Sequence, residues 1–228
     1  MNAVAEVNQG GAVAMQGGYD PFAAYGQEAA SQGGDFLKFS KGEWLKGQND
    51  DEVALGSHFA ANMGELSIGW IRWEDKKPIE RRMGLLAQGF KPETRDALGY
   101  TDQVAWEKDK DGKPQDPWSF TNELPVADPE TGEQMIISMS SKGGIGAIGT
   151  LCKAYGKEYR QRDGFVPIIE LDRDSYKHKE YGKTYVPVLP IVDWVPNGSV
   201  PEPANSDDAD DTPAETPAAA AAGSKTRF

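Results

Sequence analysis

From residue 66 to residue 194 the chain alternates short runs of β-branched and aromatic residues with clusters of Gly, Pro, Asp and Lys. That pattern predicts strands joined by turns. Leu66-Ser-Ile-Gly-Trp-Ile-Arg-Trp73 is the clearest run; the polar Glu74-Asp-Lys-Lys-Pro78 and a less regular run from Ile79 to Gly89 follow it, so the two predict a hairpin. Trp118 to Val126 and Gln134 to Met139 are two further strands, linked by Asp128-Pro-Glu-Thr-Gly132, whose residues suit a turn. Ser140-Ser141 then precedes Ile145, Ile148, Leu151, Cys152 and Tyr155 at helical spacing, which predicts a capped amphipathic helix with Gly156 as its stop. Val166 to Leu171 and Tyr185 to Trp194 close the series, and their prolines suit edge strands or barrel rims.

The fold class read from this order is mainly β with one α-helix. A helix between the third and fourth strands is where a five-stranded Greek-key OB barrel carries one, so an OB-fold-like barrel is expected. Residues 90–117, polar and rich in turn residues (Lys108-Asp-Lys-Asp-Gly-Lys-Pro114), would be a long insertion between the second and third strands.

The flanks read differently. Residues 1–35 are Gly/Gln/Ala-rich and hold no Lys or Arg, and residues 199–228 form an acidic Ala/Pro-rich tail. Neither has the apolar content to offset the entropy of ordering, so disordered termini are expected around a core of residues 36–198. The net charge of −12 divides into −4 for each of the three parts, and the core holds 22 of the 24 basic residues and all six tryptophans. A core that is not strongly basic argues against non-specific duplex binding. A single-strand binder needs only a local basic groove, because base stacking supplies part of the affinity.

The lone Cys152 excludes a disulfide framework and a cysteine zinc site, and His58 and His178 are too few for a histidine cluster. No metal or other cofactor is therefore expected. No secretory leader pattern and no long apolar run are visible, so a soluble protein of the bacterial host cytoplasm, with no membrane partner, is the expectation.

Candidate chemistry concentrates in a few places. Trp70 and Arg72 share one strand face, with Trp73 on the other and Arg81 and Arg82 on the next strand. Together they would offer aromatic and guanidinium planes to bases, with one of Trp70 and Trp73 outside. Residues 141–183 hold nine basic residues against six acids, among them Lys142, Lys153, Lys157, Arg160 and Arg162, which could neutralise phosphates beside Tyr155 and Tyr159. Lys142-Gly-Gly-Ile-Gly-Ala-Ile-Gly149 lacks phosphate-loop spacing, and its glycines read as close helix packing. Glu170, Asp172 and Asp174 alternate as if along one strand face, the raw material of a two-metal nuclease, but a solvated face is the better reading. No Ser/His/Asp or Cys/His arrangement is present, so no enzyme is expected.

In the tail, Asp207, Asp208, Asp210, Asp211 and the final Phe228 resemble the acidic, hydrophobic-tipped tail of bacterial single-stranded DNA-binding proteins. The likeness is incomplete, since Lys225 and Arg227 stand beside the Phe and the acids lie well upstream. Within the core, Gly69-Trp-Ile-Arg-Trp73, Leu98-Gly-Tyr-Thr-Asp102, Asp116-Pro-Trp118, Ser140-Ser-Lys-Gly-Gly144 and Ile191-Val-Asp-Trp194 together resemble a family of phage and prophage proteins of replication or recombination modules. The resemblance covers about residues 36–196. With the OB-like order, it implies a non-catalytic single-stranded DNA-binding protein whose tail shields the groove or recruits replication or recombination proteins. A homodimer stands open. The alternative is a protein-interaction or inhibitory module that never touches nucleic acid.

Overall fold

A computed structural model describes residues 35–179 and 182–201. The expected N-terminal and tail segments, with Asp207, Asp208, Asp210, Asp211 and Phe228, lie outside the described residues. Those described form twelve strands and one α-helix. An N-terminal meander comprises β1 (Asp35–Ser40), β2 (Glu43–Lys46) and β3 (Asp51–Val53), and β4 (His58–Ala61) follows. The predicted hairpin is β5 (Ser67–Glu74) and β6 (Lys77–Leu85). Next come β7 (Trp118–Ala127), β8 (Gln134–Met139) and the helix α1 (Lys142–Glu158). The chain then forms β9 (Phe165–Glu170), β10 (Asp172–His178), β11 (Gly182–Val188) and β12 (Ile191–Pro196).

Ten strands make one curled open sheet in the order β12-β9-β4-β7-β8-β1-β2-β3, with β5 attached to β7 and β6 to β5. Strand β7 is central: its first half pairs with β5, its last residues with β4, and its other edge with β8. β1 joins β8 in parallel, and the remaining pairs are antiparallel. β10 and β11 form a separate two-stranded ribbon.

Four sequence expectations change. The run from Tyr185 to Trp194 is two strands, broken at Leu189-Pro190, because β11 turns away to pair with β10. The run from Ile79 ends at Leu85, and Leu86–Gln88 winds into a 3₁₀ turn closed by Gly89 in the left-handed region. Gly156 lies inside α1, which runs to Glu158 and passes into a 3₁₀ turn over Tyr159–Gln161. Strands β1 to β4 and β10 were absent from the predicted order, because each is short or charge-rich and carries little alternation of its own.

The core lies between the sheet's inner face and α1. Leu37, Trp44, Leu124, Ile137, Ile148, Leu151 and Ile169 are fully buried there, each worth roughly 1.5–3 kcal/mol of transfer free energy. Trp44 spends its one donor on the Asp172 carbonyl at 3.1 Å. Helix α1 starts where the sequence places it: the Ser141 hydroxyl accepts from the Gly144 amide at 3.1 Å. Its glycines are poor helix formers, so packing must hold it. Gly144 lies close enough to Met139 that a Cβ there would sit 2.6 Å from the sulfur.

Residues 86–117, between β6 and β7, fold back on the β5–β6–β7 face. Leu98 is buried, the Phe90 ring covers Gly84, and the Trp70 indole donates to the Glu93 carbonyl at 2.9 Å. Arg95 organises this excursion. It grips Asp116 through both Nε and Nη2, at 2.6 and 2.7 Å, and donates to the carbonyls of Gly99 and Tyr100.

Candidate nucleic-acid interface

The first candidate surface is built by register. Trp70 stands opposite Arg82 on β6 and Phe120 on β7, and Arg72 stands opposite Glu80 and Trp118. Directly opposed residues share a face, so one surface carries two arginines, two tryptophans and a phenylalanine. Its charge is already spent. Glu80 accepts from Arg72 Nε at 3.2 Å and from Arg82 Nε at 2.9 Å, and Glu93 accepts from Arg82 Nη1 at 3.0 Å. The hydrogen bond from Arg82, against a smaller opposing effect of burial, holds the Glu80 carboxyl below its ordinary value. The same partners raise Arg82, its bond to Glu93 first.

The flat faces are occupied as well. Tyr100 from the excursion lies on the Arg72 guanidinium at 4.3 Å, and Arg82 lies over the buried Trp118 at 5.3 Å. Trp70 is half-buried, edge-on to Phe120, while Trp73 is 41% exposed. Arg81 faces the other side and pairs with Glu123. Arg72 and Arg82 thus sit in an ion-pair network roofed by residues 86–117.

The second surface lies at the end of α1. Tyr155 and Tyr159, four apart on successive turns, stack at 5.1 Å with planes 17° apart. Tyr155 also stacks on Trp194 of β12, at 5.7 Å and 22°. A guanidinium lies at each end of this three-ring row: Arg160 over Tyr159 at 5.7 Å and Arg162 over Trp194 at 5.8 Å. Arg160 Nε also donates to the Tyr159 hydroxyl at 3.2 Å, which raises the arginine further. Burial, helped by Tyr159, pushes the Tyr155 phenol up, so it stays neutral. Among the described residues, neither Arg160 nor Arg162 has a carboxylate partner. Tyr159 is 39% exposed.

A backbone irregularity aims Trp194. The β9–β12 register shifts between Ile191 and Asp193, so Trp194 faces Pro167 while Ile191 faces Ile169. Pro167 and Ile169 share a face of β9, so the bulge turns both Ile191 and Trp194 toward the helix side. Simple alternation would have sent Trp194 outward.

The other predicted residues are not gathered at this row. Lys153 and Lys157 are each two residues from Tyr155, about 200° round the helix, and are exposed on its solvent side. Lys142 lies in the first turn of α1, a helix length away. Glu170, Asp172 and Asp174 do not share a strand: Glu170 ends β9, where His58 Nε2 lies 3.2 Å from it, and the two aspartates begin the ribbon. No group of three His, Cys, Asp or Glu that could hold a metal occurs among the described residues. Burial raises the Cys152 thiol, leaving it a poor nucleophile at neutral pH. No helix among the described residues is long and apolar enough to cross a membrane.

One member of the row, Trp194, was not assigned to the site by sequence reasoning. Arg162 follows directly from the basic run after the helix. Trp194 could be found only through the bulge. Set against known proteins, the chain matches no family model, no curated protein and no solved structure.

Proposed function

We propose that this chain is a non-catalytic single-stranded DNA-binding protein of a phage replication or recombination module, with an OB-like core, and that it binds through the aromatic row at the end of α1. The observation that carries the reading is the stack of Trp194, Tyr155 and Tyr159 flanked by Arg160 and Arg162, which have no carboxylate partner among the described residues. Aromatic planes accept any base, and guanidinium groups beside them serve both stacking and phosphate neutralisation. The curled sheet with one helix after β8 is compatible with this core, and the segment resemblance points the same way. The acidic tail would compete for the same cations or recruit replication proteins.

The test is tryptophan fluorescence titrated with a poly-dT oligonucleotide of about 35 nucleotides, long enough to span a site of the usual size. Saturable quenching that salt reverses supports the reading, since phosphate contacts release counterions. A flat titration at low salt removes it.

One observation favours the alternative of a protein-interaction module. The excursion is pinned by Arg95 yet presents Val104 at 90% exposure and Tyr100 at 57%. A rigid loop with apolar tips suits a protein partner. Full-length protein that ignores every oligonucleotide but retains a partner through a nuclease wash would establish that role instead.

A further inference from the structure

The β10–β11 ribbon separates charge by strand alternation. Its register sets Arg173 against Pro187, Ser175 against Tyr185 and Lys177 against Lys183, so these six share one face. Asp172 and Asp174 fall on the opposite face, with Val186, and Val186 is the side chain that a Cβ on Gly143 of α1 would meet, 2.9 Å away. The basic face points to the β1–β2 turn instead: Arg173 Nη1 donates to the Gly42 carbonyl at 2.6 Å, and Tyr185 packs against Gly42. Lys41, next in the chain and exposed, adds a further positive charge.

Beyond Tyr185 the basic face is open. Lys177 and Lys183 are exposed and directly opposed, and among the described residues neither has a carboxylate partner. Like charges directly across a ribbon are destabilising, and the compensation seen among the described residues is Lys183 Nζ lying 4.8 Å from the Tyr185 ring. An anion bridging the two ammonium groups would relieve that repulsion. Arg72 and Arg82, by contrast, have their charges neutralised by Glu80 and Glu93.

We propose, resting on the single-strand reading above, that the basic face of this ribbon is a second contact of the same site and takes the phosphate backbone of the bound strand. The ribbon's opposite face, at Val186, packs at Gly143 of α1, and the aromatic row begins at Tyr155, twelve residues or about 18 Å along the axis from that packing point. Bases would stack on the row while the backbone is held on the ribbon. The division is chemical, since the row supplies planes and the ribbon supplies flexible ammonium groups that fit phosphates without reading bases.

The experiment uses the full chain carrying Lys177→Ala and Lys183→Ala together, and reads the slope of log affinity for poly-dT against log salt concentration. Loss of two phosphate contacts lowers the magnitude of that slope by about 1.4, at about 0.7 per contact on a single strand. Affinity falls roughly tenfold at moderate salt, and the saturating fluorescence quench stays unchanged. The variant removes a like-charge pair from an exposed ribbon, so its melting temperature should not drop. An unchanged slope in a folded variant overturns the ribbon's role and leaves the aromatic row standing. A slope unchanged for poly-dT with weakened binding of a poly-glutamate probe assigns the face to an acidic polypeptide and overturns it equally. Wild-type protein that binds no oligonucleotide removes the single-strand reading and the ribbon with it.

Discussion

The Trp194 indole lies stacked on the Tyr155 ring, centroids 5.7 Å apart, and so ties the last strand of the sheet to the last turns of the helix. Both residues contribute to packing and to the edge of an exposed row. Their replacement must therefore be read in stability and in binding together.

Tyr159→Ala removes the outermost ring, which buries least and stacks most openly. Expected is a loss of roughly 1–3 kcal/mol in poly-dT affinity, the usual worth of one base stacked on an aromatic, with little change in melting temperature. Tyr159→Phe should keep most of the affinity. Fluorescence titration and a thermal melt on the same samples separate binding from folding.

Arg82→Ala should behave in the opposite way. Its guanidinium is engaged by Glu80 and Glu93, so poly-dT affinity is expected to stay within about twofold. The melting temperature should fall, because two carboxylates lose their shared partner. A variant that loses affinity as severely as Tyr159→Ala would return the β5–β6 arginines to the binding surface.

The same contact sets a pH dependence. Glu80 is held below its ordinary value in the folded protein, chiefly by Arg82. A depressed carboxylate contributes stability above its unfolded value, and that contribution disappears as pH falls through the lower folded value. Wild type should therefore lose more melting temperature on acidification through that window than Arg82→Ala does. Parallel acid titrations followed by circular dichroism check the difference.

Glycines in α1 should diverge. A Cβ at Gly144 would stand 2.6 Å from the buried Met139 sulfur and 3.0 Å from its Cβ, so Gly144→Ala is expected to cost about 1–3 kcal/mol through overpacking. Nothing lies within 4 Å of a Cβ at Gly146 or Gly149. Alanine at either should stabilise by about 1 kcal/mol through helix propensity. Denaturant unfolding of the three variants measures this directly.

Arg95→Ala should free the excursion. The side chain holds Asp116 and two backbone carbonyls, and charge-assisted hydrogen bonds of this kind are worth about 1.5–3 kcal/mol each. Limited proteolysis within residues 99–115 should accelerate sharply while the sheet core remains protected. An unchanged cleavage rate would show that Leu98 and Phe90 anchor the loop without it.

Much of the architecture was legible because it depends on local pattern. The β5–β6 hairpin, β7, β8 and the Ser141-capped helix announce themselves by alternation, turn residues and helical spacing, and each lies within a few residues of its expected place. The Asp128 turn is local as well: its carboxylate accepts from the amides of Glu130 and Thr131 at 2.8 and 2.9 Å. Strands β1 to β3 were not legible. Their ladder is completed by pairing of β1 with β8, a hundred residues on, and a short strand with Lys-Gly or Asp-Asp neighbours carries little signal until that partner is present.

The candidate site divides in the same way. The residue types and the helical spacing of Tyr155 and Tyr159 are properties of the sequence alone, as is the basic stretch that follows them. Tertiary structure decided which cations are neutralised within the described residues. Glu80 and Glu93 neutralise Arg72 and Arg82 only because a hairpin register and a returning loop bring them together. It also decided the aromatic row, since one extra residue in β12 turns Trp194 toward the helix. Sequence settles what each side chain can do; long-range pairing settles its neighbours, and the neighbours determine whether a charge or a ring is left for a ligand.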